Sequence, residues 1–209
     1  MDRFAGAIKP ETHLRIGIII LAAGSSKRFG GISKQLLTIN GTSLVRHAAE
    51  VALAADLGGP VVVVLGDRRD QVAPELDGLG VTLIDNPTYS DGVASSVKIG
   101  LAGVFMMEPK IDKFVVMPCD QPFVTAALLQ QLVATQSETD KGIVATRYAD
   151  QVHMPALFAR RYAEPLSVLT GDKAPKWVII KHKTDLAEVG FEPAAIDLDF
   201  WSQVEALNE

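Results

Sequence analysis

The sequence predicts an α/β fold built on a Rossmann-like, doubly wound sheet that is mostly parallel. Four short runs rich in Val, Ile and Leu alternate with helix-length segments along the first two thirds of the chain. The apolar residues of each run are consecutive, as in strands that helices cover on both faces of a sheet. Strands that alternate with helices in this way form parallel sheets with right-handed crossovers.

The sheet is predicted to contain five strands, and one predicted helix lies between each strand and the next. The strands are Arg15–Leu21, Pro60–Leu65, Val81–Asp85, Lys113–Met117 and Gly142–Thr146. The helices have apolar residues at helical spacing. They are Ser43–Ala55, Asp67–Leu79, Gly92–Val104 and Thr125–Gln136, the last with Thr125 as its N-cap.

Beyond the fifth strand, prolines interrupt the pattern, and we expect an antiparallel edge or a small C-terminal lobe there. A chain of 209 residues is long enough for one medium domain at about 150 residues per domain. We therefore predict a single domain over residues 15–209. Residues 1–14 form a polar lead-in that could remain disordered.

The composition argues against several classes of protein. A net charge of -5 offers no basic surface for a polynucleotide, so we expect no nucleic-acid partner. The apolar runs are far shorter than the roughly 20 residues that a membrane span needs. Cys119 is the single cysteine, which excludes an intramolecular disulfide and fits a reducing, cytoplasmic compartment.

The loop after the first strand has the composition of a phosphate-binding turn. It reads LAAGSSKRFGG, with Lys34 three residues further on. Small residues let the backbone approach a ligand, and Lys27, Arg28 and Lys34 add positive charge. The loop matches neither a P-loop nor a dinucleotide fingerprint. A glycine-rich turn with solvated cations is the plain alternative for this segment alone.

Asp120 directly follows the fourth strand, in the segment MPCDQP. A carboxylate at this position can hold Mg²⁺ over phosphates bound by the first loop, because Mg²⁺ uses only one or two protein carboxylates plus substrate oxygens. Asp197 and Asp199 are candidates for a second carboxylate, although solvated loop acids would look the same in the sequence.

The loop after the third strand contains candidate contacts for a nucleotide base. Its polar residues can hydrogen-bond a base edge, and its glycine permits close approach. Plain helix-start residues are the alternative for the two serines. The candidates are Asn86, Gly92, Ser95 and Ser96.

Four segments together resemble the nucleotidyltransferases of the molybdenum-cofactor branch, especially the molybdenum cofactor cytidylyltransferases. The segments are LAAGSSKRFGGISKQLL, NPTYSDGVASSVKIGL, VVMPCDQPFV and IDLDFWSQVEAL. The resemblance extends from about Arg15 to the C-terminus. It implies a sheet of the nucleotide-diphospho-sugar transferase type, and transfer of CMP from CTP to the terminal phosphate of molybdopterin with release of pyrophosphate.

The resemblance also implies roles for individual residues. Arg28 and Lys34 would hold the phosphates, Asp120 would bind Mg²⁺, and Asp199 is favoured over Asp197 as a second metal ligand. The residues that would line the nucleotide are Leu21, Ala22, Ala23, Gly24 and Ser25. Family members that use GTP have Gly in place of Ala23, so the methyl group favours CTP by narrowing the pocket against a purine.

The chain departs from the family pattern in the half that would bind the acceptor. The departures are His153-Met154-Pro155, Ala174-Pro175-Lys176 and Phe200-Trp201. His153, Lys173 and Lys176 are candidate contacts for the anionic acceptor, although an exposed loop histidine is an equal interpretation of His153. The product could pass to a receiving molybdoenzyme or its chaperone.

Three other functions fit the same residues. The first is a nucleotidyltransferase that uses GTP or another phosphate acceptor. The second is a nicotinamide-dependent reductase that reuses the mononucleotide pocket, although retention of Lys34 and Asp120 argues for a triphosphate and a metal. The third is a non-catalytic chaperone that binds the cofactor without releasing pyrophosphate.

Overall fold

The computed structural model describes residues 15–25, 33–173 and 175–196. The lead-in and the predicted site residues Arg28, Asp197 and Asp199 lie outside these residues. The strands are β1 (Ile16–Ala22), β2 (Thr38–Ile39), β3 (Thr42–Ser43), β4 (Gly58–Leu65), β5 (Thr82–Asp85), β6 (Lys113–Pro118), β7 (Ile143–Tyr148), β8 (Gln151–Ala159) and β9 (Leu186–Gly190). The helices are α1 (Leu44–Ala54), α2 (Arg69–Val72), α3 (Val93–Met107), α4 (Ala126–Thr139), α5 (Ala163–Ser167) and α6 (Lys176–Lys181).

Seven strands form one sheet in the order β5-β4-β1-β6-β8-β7-β9, and β2 pairs with β3 in a small antiparallel hairpin. Strands β5, β4, β1 and β6 are parallel, and β9 is parallel to β7. Strand β8 is antiparallel to both of its neighbours. The predicted fold class, a mostly parallel α/β sheet, is confirmed.

The antiparallel strand lies inside the sheet and not at its edge. Strand β8 is paired with β6 on one side and β7 on the other, with Leu157 opposite both Val115 and Val144. Ala156, Leu157 and Phe158 have no exposed surface. Such a run of consecutive buried residues needs neighbours on both sides and cover on both faces, which only an interior strand has.

The hydrophobic core lies on both faces of the sheet. One cluster joins α1 and α4 to one face, and a second joins α3 and α5 to the other. The predicted helix over Asp67–Leu79 is shorter in the structure: α2 ends at Val72 and a 3-10 turn, Ala73–Leu76, follows. Pro74 explains the difference, because it lacks the N–H that an α-helix would need there.

The sheet determines where ligands can bind. The parallel strands β1, β4, β5 and β6 end at the same edge, so the loops that follow them meet there. These are the loops that carry Gly24, Asp67, Asn86 and Asp120. No helix in the described ranges is long and apolar enough to span a bilayer.

Candidate functional site

A cavity of about 740 Å³ lies at the carboxyl edge of the sheet, between the loops after β1 and β6 and the start of α3. Eight of the predicted site residues line it. They are Leu21, Ala23, Gly24, Ser25, Lys34, Gly92, Ser96 and Asp120. Sequence reasoning did not single out as ligand contacts the other lining residues, which are Gln35, Asp67, Tyr89, Ser90, Val93, Pro118, Cys119 and Asp172.

Lys34 and Asp120 form an ion pair at this cavity. The Lys34 Nζ lies 2.8 Å from Asp120 Oδ2, and the two side chains are 13% and 25% exposed. Residues 86 positions apart in the chain thus place a cation and a carboxylate side by side. The lysine can bind phosphate oxygens and the carboxylate can bind a divalent cation, so a metal-bound triphosphate offers each group a new partner.

Gln35 holds the first loop in place, and the sequence analysis missed it. Its buried amide donates hydrogen bonds to the carbonyl oxygens of Ala22 (2.9 Å) and Gly24 (2.8 Å). Ser33 Oγ in turn donates to Gln35 Oε1. These bonds attach the end of β1 to the turn that carries Lys34. The sequence feature that could have indicated this role is a polar glutamine directly before the apolar pair Leu36-Leu37.

Asn86 positions the start of α3 and is not part of the cavity lining. Its Nδ2 donates to Ser95 Oγ (2.8 Å) and Ser96 Oγ (3.0 Å), and its Oδ1 accepts two bonds from Thr88. The amide therefore has all four of its hydrogen bonds within the protein. Ser96 faces the cavity, whereas Ser95 lines a neighbouring groove.

The loop after β4 forms a wall of the cavity that the sequence analysis did not assign. A methyl group on Gly66 would lie 2.6 Å from the carbonyl oxygen of Ala23, so only glycine allows this approach. The next residue, Asp67, donates its backbone N–H to that oxygen at 3.3 Å. Ala23 itself is only 4% exposed, and its methyl group packs against this loop.

A loop from the C-terminal half completes the cavity. Gly92 has a φ of +101°, and a methyl group there would lie 2.3 Å from the carbonyl carbon of Gly171. Ala94 donates its N–H to the Gly171 oxygen at 3.1 Å. This contact brings the neighbouring Asp172 to the cavity.

Gln121 links Asp120 to the C-terminal part of the chain. Its Nε2 donates to Tyr148 Oη (2.9 Å) and to the carbonyl oxygen of Ala194 (3.1 Å). The described chain ends two residues later, at Ile196. The segment that precedes Asp197 is therefore attached to the residue next to Asp120.

The three candidate acceptor contacts are not among the residues that line the cavity, and Lys176 and Lys173 line two different grooves. His153 stacks on Tyr148 with 4.2 Å between ring centroids and 13° between planes. Burial, and then the charge of Lys176, lower the pKa of His153 from its usual 6.5. Lys176 Nζ donates to Gln151 Oε1 at 2.7 Å, and Lys173 lines a groove beside α6.

The carboxylates at the cavity fit a hard divalent cation. Asp67, Asp120 and Asp172 all line it, and Mg²⁺ needs only one or two carboxylates when phosphate and water oxygens complete its shell. Among the described residues no three Asp, Glu, His or Cys side chains form a ready-made metal cage. A metal site at Asp120 would thus depend on substrate oxygens.

The chain is similar to proteins of known family. A family model for the MobA-like NTP transferase domain matches residues 18–186. The bifunctional enzyme IspD/IspF of Rhodospirillum rubrum is 28% identical over 165 residues, which are 78% of this chain and 40% of that protein. The chain thus spans about two fifths of the length of this relative.

Two further curated relatives carry other names. The nicotine blue oxidoreductase of Paenarthrobacter nicotinovorans is 28% identical over 200 residues, or 90% of this chain and 94% of that protein. A probable molybdenum cofactor guanylyltransferase of Natronomonas pharaonis is 27% identical over 129 residues, or 62% of this chain and 60% of that protein.

A crystal structure with a similar fold is that of Rv0371c from Mycobacterium tuberculosis H37Rv. It is 29% identical, has a TM-score of 0.76, and the match covers 92% of this chain and 97% of that one. The same protein has been solved in complex with manganese, with a TM-score of 0.72, 28% identity, and coverage of 93% and 98%.

Proposed function

Because the chain belongs to the family of MobA-like NTP transferase domains, we propose that it transfers CMP from CTP to the terminal phosphate of molybdopterin or the molybdenum cofactor and releases pyrophosphate. Nucleotidyl transfer is the activity that the family supports. The observation that carries the proposal is the Lys34–Asp120 ion pair at the 740 Å³ cavity. It combines a phosphate-binding cation with a metal-binding carboxylate.

The mechanism needs alignment and charge neutralisation rather than covalent catalysis. The terminal phosphate of the acceptor is already ionised at neutral pH, so it can attack the α-phosphorus of CTP without a general base. Lys34 would stabilise the leaving pyrophosphate, together with Arg28 by family resemblance. Asp120 would hold Mg²⁺, which neutralises charge on the phosphates when bound. The complex of a structural relative with manganese supports a divalent metal.

The choice of CTP rests on Ala23. Its methyl group lies against Gly66, where the backbones of the loops after β1 and β4 are already in contact. Glycine at this position would leave more room for a purine, so the methyl group disfavours GTP by exclusion. The fully bonded Asn86 holds Ser96 at the same cavity, where its hydroxyl can bond a base edge.

The acceptor half of the proposal rests on a similar protein and on candidate contacts in the C-terminal part of the chain. Similarity to a probable molybdenum cofactor guanylyltransferase favours a pterin phosphate as the acceptor. His153, Lys173 and Lys176 would contact it, and Asp197 or Asp199 would supply a second carboxylate to the metal. Delivery to a receiving molybdoenzyme or its chaperone belongs to the same proposal, as does a cytoplasmic location, which suits a buried cysteine, Cys119, that forms no disulfide.

Pyrophosphate release with Mg²⁺ and molybdopterin tests the proposal when CTP, GTP and ATP are compared in parallel. We expect release with CTP and little with GTP or ATP. Release with GTP would keep nucleotidyl transfer but reject the argument from Ala23. No release, despite stabilisation of the fold by CTP, would favour a binding protein or another acceptor.

An oxidoreductase is the second candidate, because the nicotine blue oxidoreductase is similar over 90% of this chain. A reductase would use the cavity for part of a nicotinamide cofactor. It predicts substrate-dependent loss of the reduced nicotinamide absorbance without added metal, and no sensitivity to a chelator. Nucleotidyl transfer predicts the opposite on both counts.

A further inference from the structure

Asp172 lies at the cavity, and the proposed mechanism, which assigns the metal to Asp120, gives it no role. It shares the lining with Gly92, Val93 and Ser96. Within the described residues, its carboxylate has no hydrogen-bond or ion-pair partner. A carboxylate only accepts hydrogen bonds, so it is available to a ligand that has donors.

Backbone packing holds Asp172 at this position. The carbonyl oxygen of Gly171 accepts a bond from Ala94 at the start of α3. A methyl group on Gly92 would lie 2.3 Å from the Gly171 carbonyl carbon and 2.7 Å from Asp172 Oδ1. The carboxylate therefore lies directly over Gly92, at the N-terminal end of a 15-residue helix, whose partial positive charge attracts it.

The charge of Asp172 determines which part of a nucleotide it can contact. A carboxylate repels phosphates, and the lysine that suits them is Lys34, which is paired with Asp120. The nucleoside carries the donors, either an exocyclic amine on the base or the ribose hydroxyls. Carboxylates are established acceptors for the cytosine amine.

We propose that Asp172 is a specificity-determining residue whose carboxylate accepts a hydrogen bond from the nucleoside of the bound nucleoside triphosphate. This inference rests on the proposed function. It assigns to the C-terminal half a direct contact with the nucleotide. The loop that carries Asp172 would therefore close the nucleoside end of the cavity.

Calorimetric binding without an acceptor tests the contact. The ligands are CTP, UTP and 2′,3′-dideoxy-CTP with Mg²⁺, and the proteins are the wild type, Asp172→Asn and Asp172→Ala. We expect Asp172→Ala to bind CTP about 10-fold more weakly, as for loss of a hydrogen bond to a charged group. If the base amine is the donor, UTP affinity is unchanged by the substitution; if the ribose is the donor, dideoxy-CTP affinity is unchanged.

Asp91→Ala is the matched control, because Asp91 is an exposed aspartate next to Gly92 that lines the adjacent groove and not this cavity. We expect its CTP affinity to equal that of the wild type. Equal CTP affinity of Asp172→Ala and wild type overturns the inference and leaves nucleotidyl transfer standing. An equal loss of CTP affinity in Asp91→Ala also overturns it, because any negative charge near the start of α3 would then explain the effect. A wild type that binds no nucleotide overturns both proposals.

Discussion

The two parts of the carboxyl edge of the sheet differ in how their polar residues are arranged. Around β1 and β6 the loops converge on one cavity, where Lys34 and Asp120 are bonded to each other. Around β7, β8 and α6 the candidate acceptor residues do not line one common cavity. His153 stacks on Tyr148, whereas the Lys176 ammonium donates a hydrogen bond to Gln151.

The difference follows from chain topology. Parallel strands end at a common edge, so residues that follow them are brought together wherever they lie in the sequence. Strand β8 runs in the opposite direction, so strand direction does not bring the loops that follow it to this edge. Their placement depends on single contacts, such as Gly171 against Gly92. The nucleotide part is therefore preorganised, and we expect substitutions there to have larger effects.

Asp120→Asn should have the largest effect. The amide keeps an acceptor for Lys34 but loses the charge that binds a divalent cation, so the kcat for pyrophosphate release should fall at least about 100-fold. The KM for CTP should change much less. Asp77→Asn, on an exposed turn away from the cavity, is the control. A near-normal kcat in Asp120→Asn would mean that Asp120 does not bind the catalytic metal. The contrast between a preorganised nucleotide part and the acceptor part would then lose its main support.

Gly92→Ala tests the contact that joins the two parts. The methyl group would strike the backbone of Gly171, in addition to the strain of alanine at positive φ. Gly78→Ala isolates that strain, because Gly78 has a φ of +79° and nothing within 4 Å of the added methyl group. Denaturant unfolding should show a loss of about 1–2 kcal/mol for Gly78→Ala and about 3 kcal/mol or more for Gly92→Ala. Equal losses of unfolding free energy in the two variants would mean that the loop around Gly171 moves away from the added methyl group at no cost.

The sequence was sufficient to predict the parallel part of the sheet and the convergence of Lys34 and Asp120, because both follow from the alternation of strands and helices; it did not predict that β8 lies inside the sheet. It was not sufficient for Gln35, because only the folded chain places its amide beside the carbonyl oxygens of Ala22 and Gly24. Nor could it reveal Asp172, because the approach of Gly171 to Gly92 joins residues 79 positions apart. Contacts of this kind depend on tertiary packing and leave no local periodicity.

Asp185→Asn tests whether the C-terminal part can be weakened alone. Burial tends to raise the pKa of Asp185, but hydrogen bonds from Tyr162, Gly142 and Arg161 outweigh it and lower the pKa from 3.8 to about 2. A lowered pKa stabilises the fold above pH 4, and that stability is lost between pH 4 and 2. Asp185→Asn should therefore be less stable than wild type at pH 7, and the difference should shrink below pH 4.

The control is Asp150→Asn, since the Asp150 side chain is fully exposed and lies 3.7 Å from Arg147. Its unfolding free energy should stay within about 0.5 kcal/mol of wild type across the same range. Affinity for CTP should be retained in both variants. A parallel loss of CTP binding in Asp185→Asn would show that the two parts are not independent.

His153→Gln should have the smallest effect. The lowered pKa of His153 favours the neutral imidazole, whose contribution to binding an anionic acceptor is stacking or one neutral hydrogen bond. We expect the KM for the acceptor to rise about 2–5-fold, the KM for CTP to stay constant, and His153→Phe to retain more activity than His153→Gln. His182→Gln is the control. The His182 ring also packs against a tyrosine, Tyr162, but edge-on at 71° and not as a stack. A 100-fold loss of activity in His153→Gln, with normal activity in His182→Gln, would mean that the acceptor part is as preorganised as the nucleotide part. A single stacking contact or neutral hydrogen bond does not contribute that much on its own.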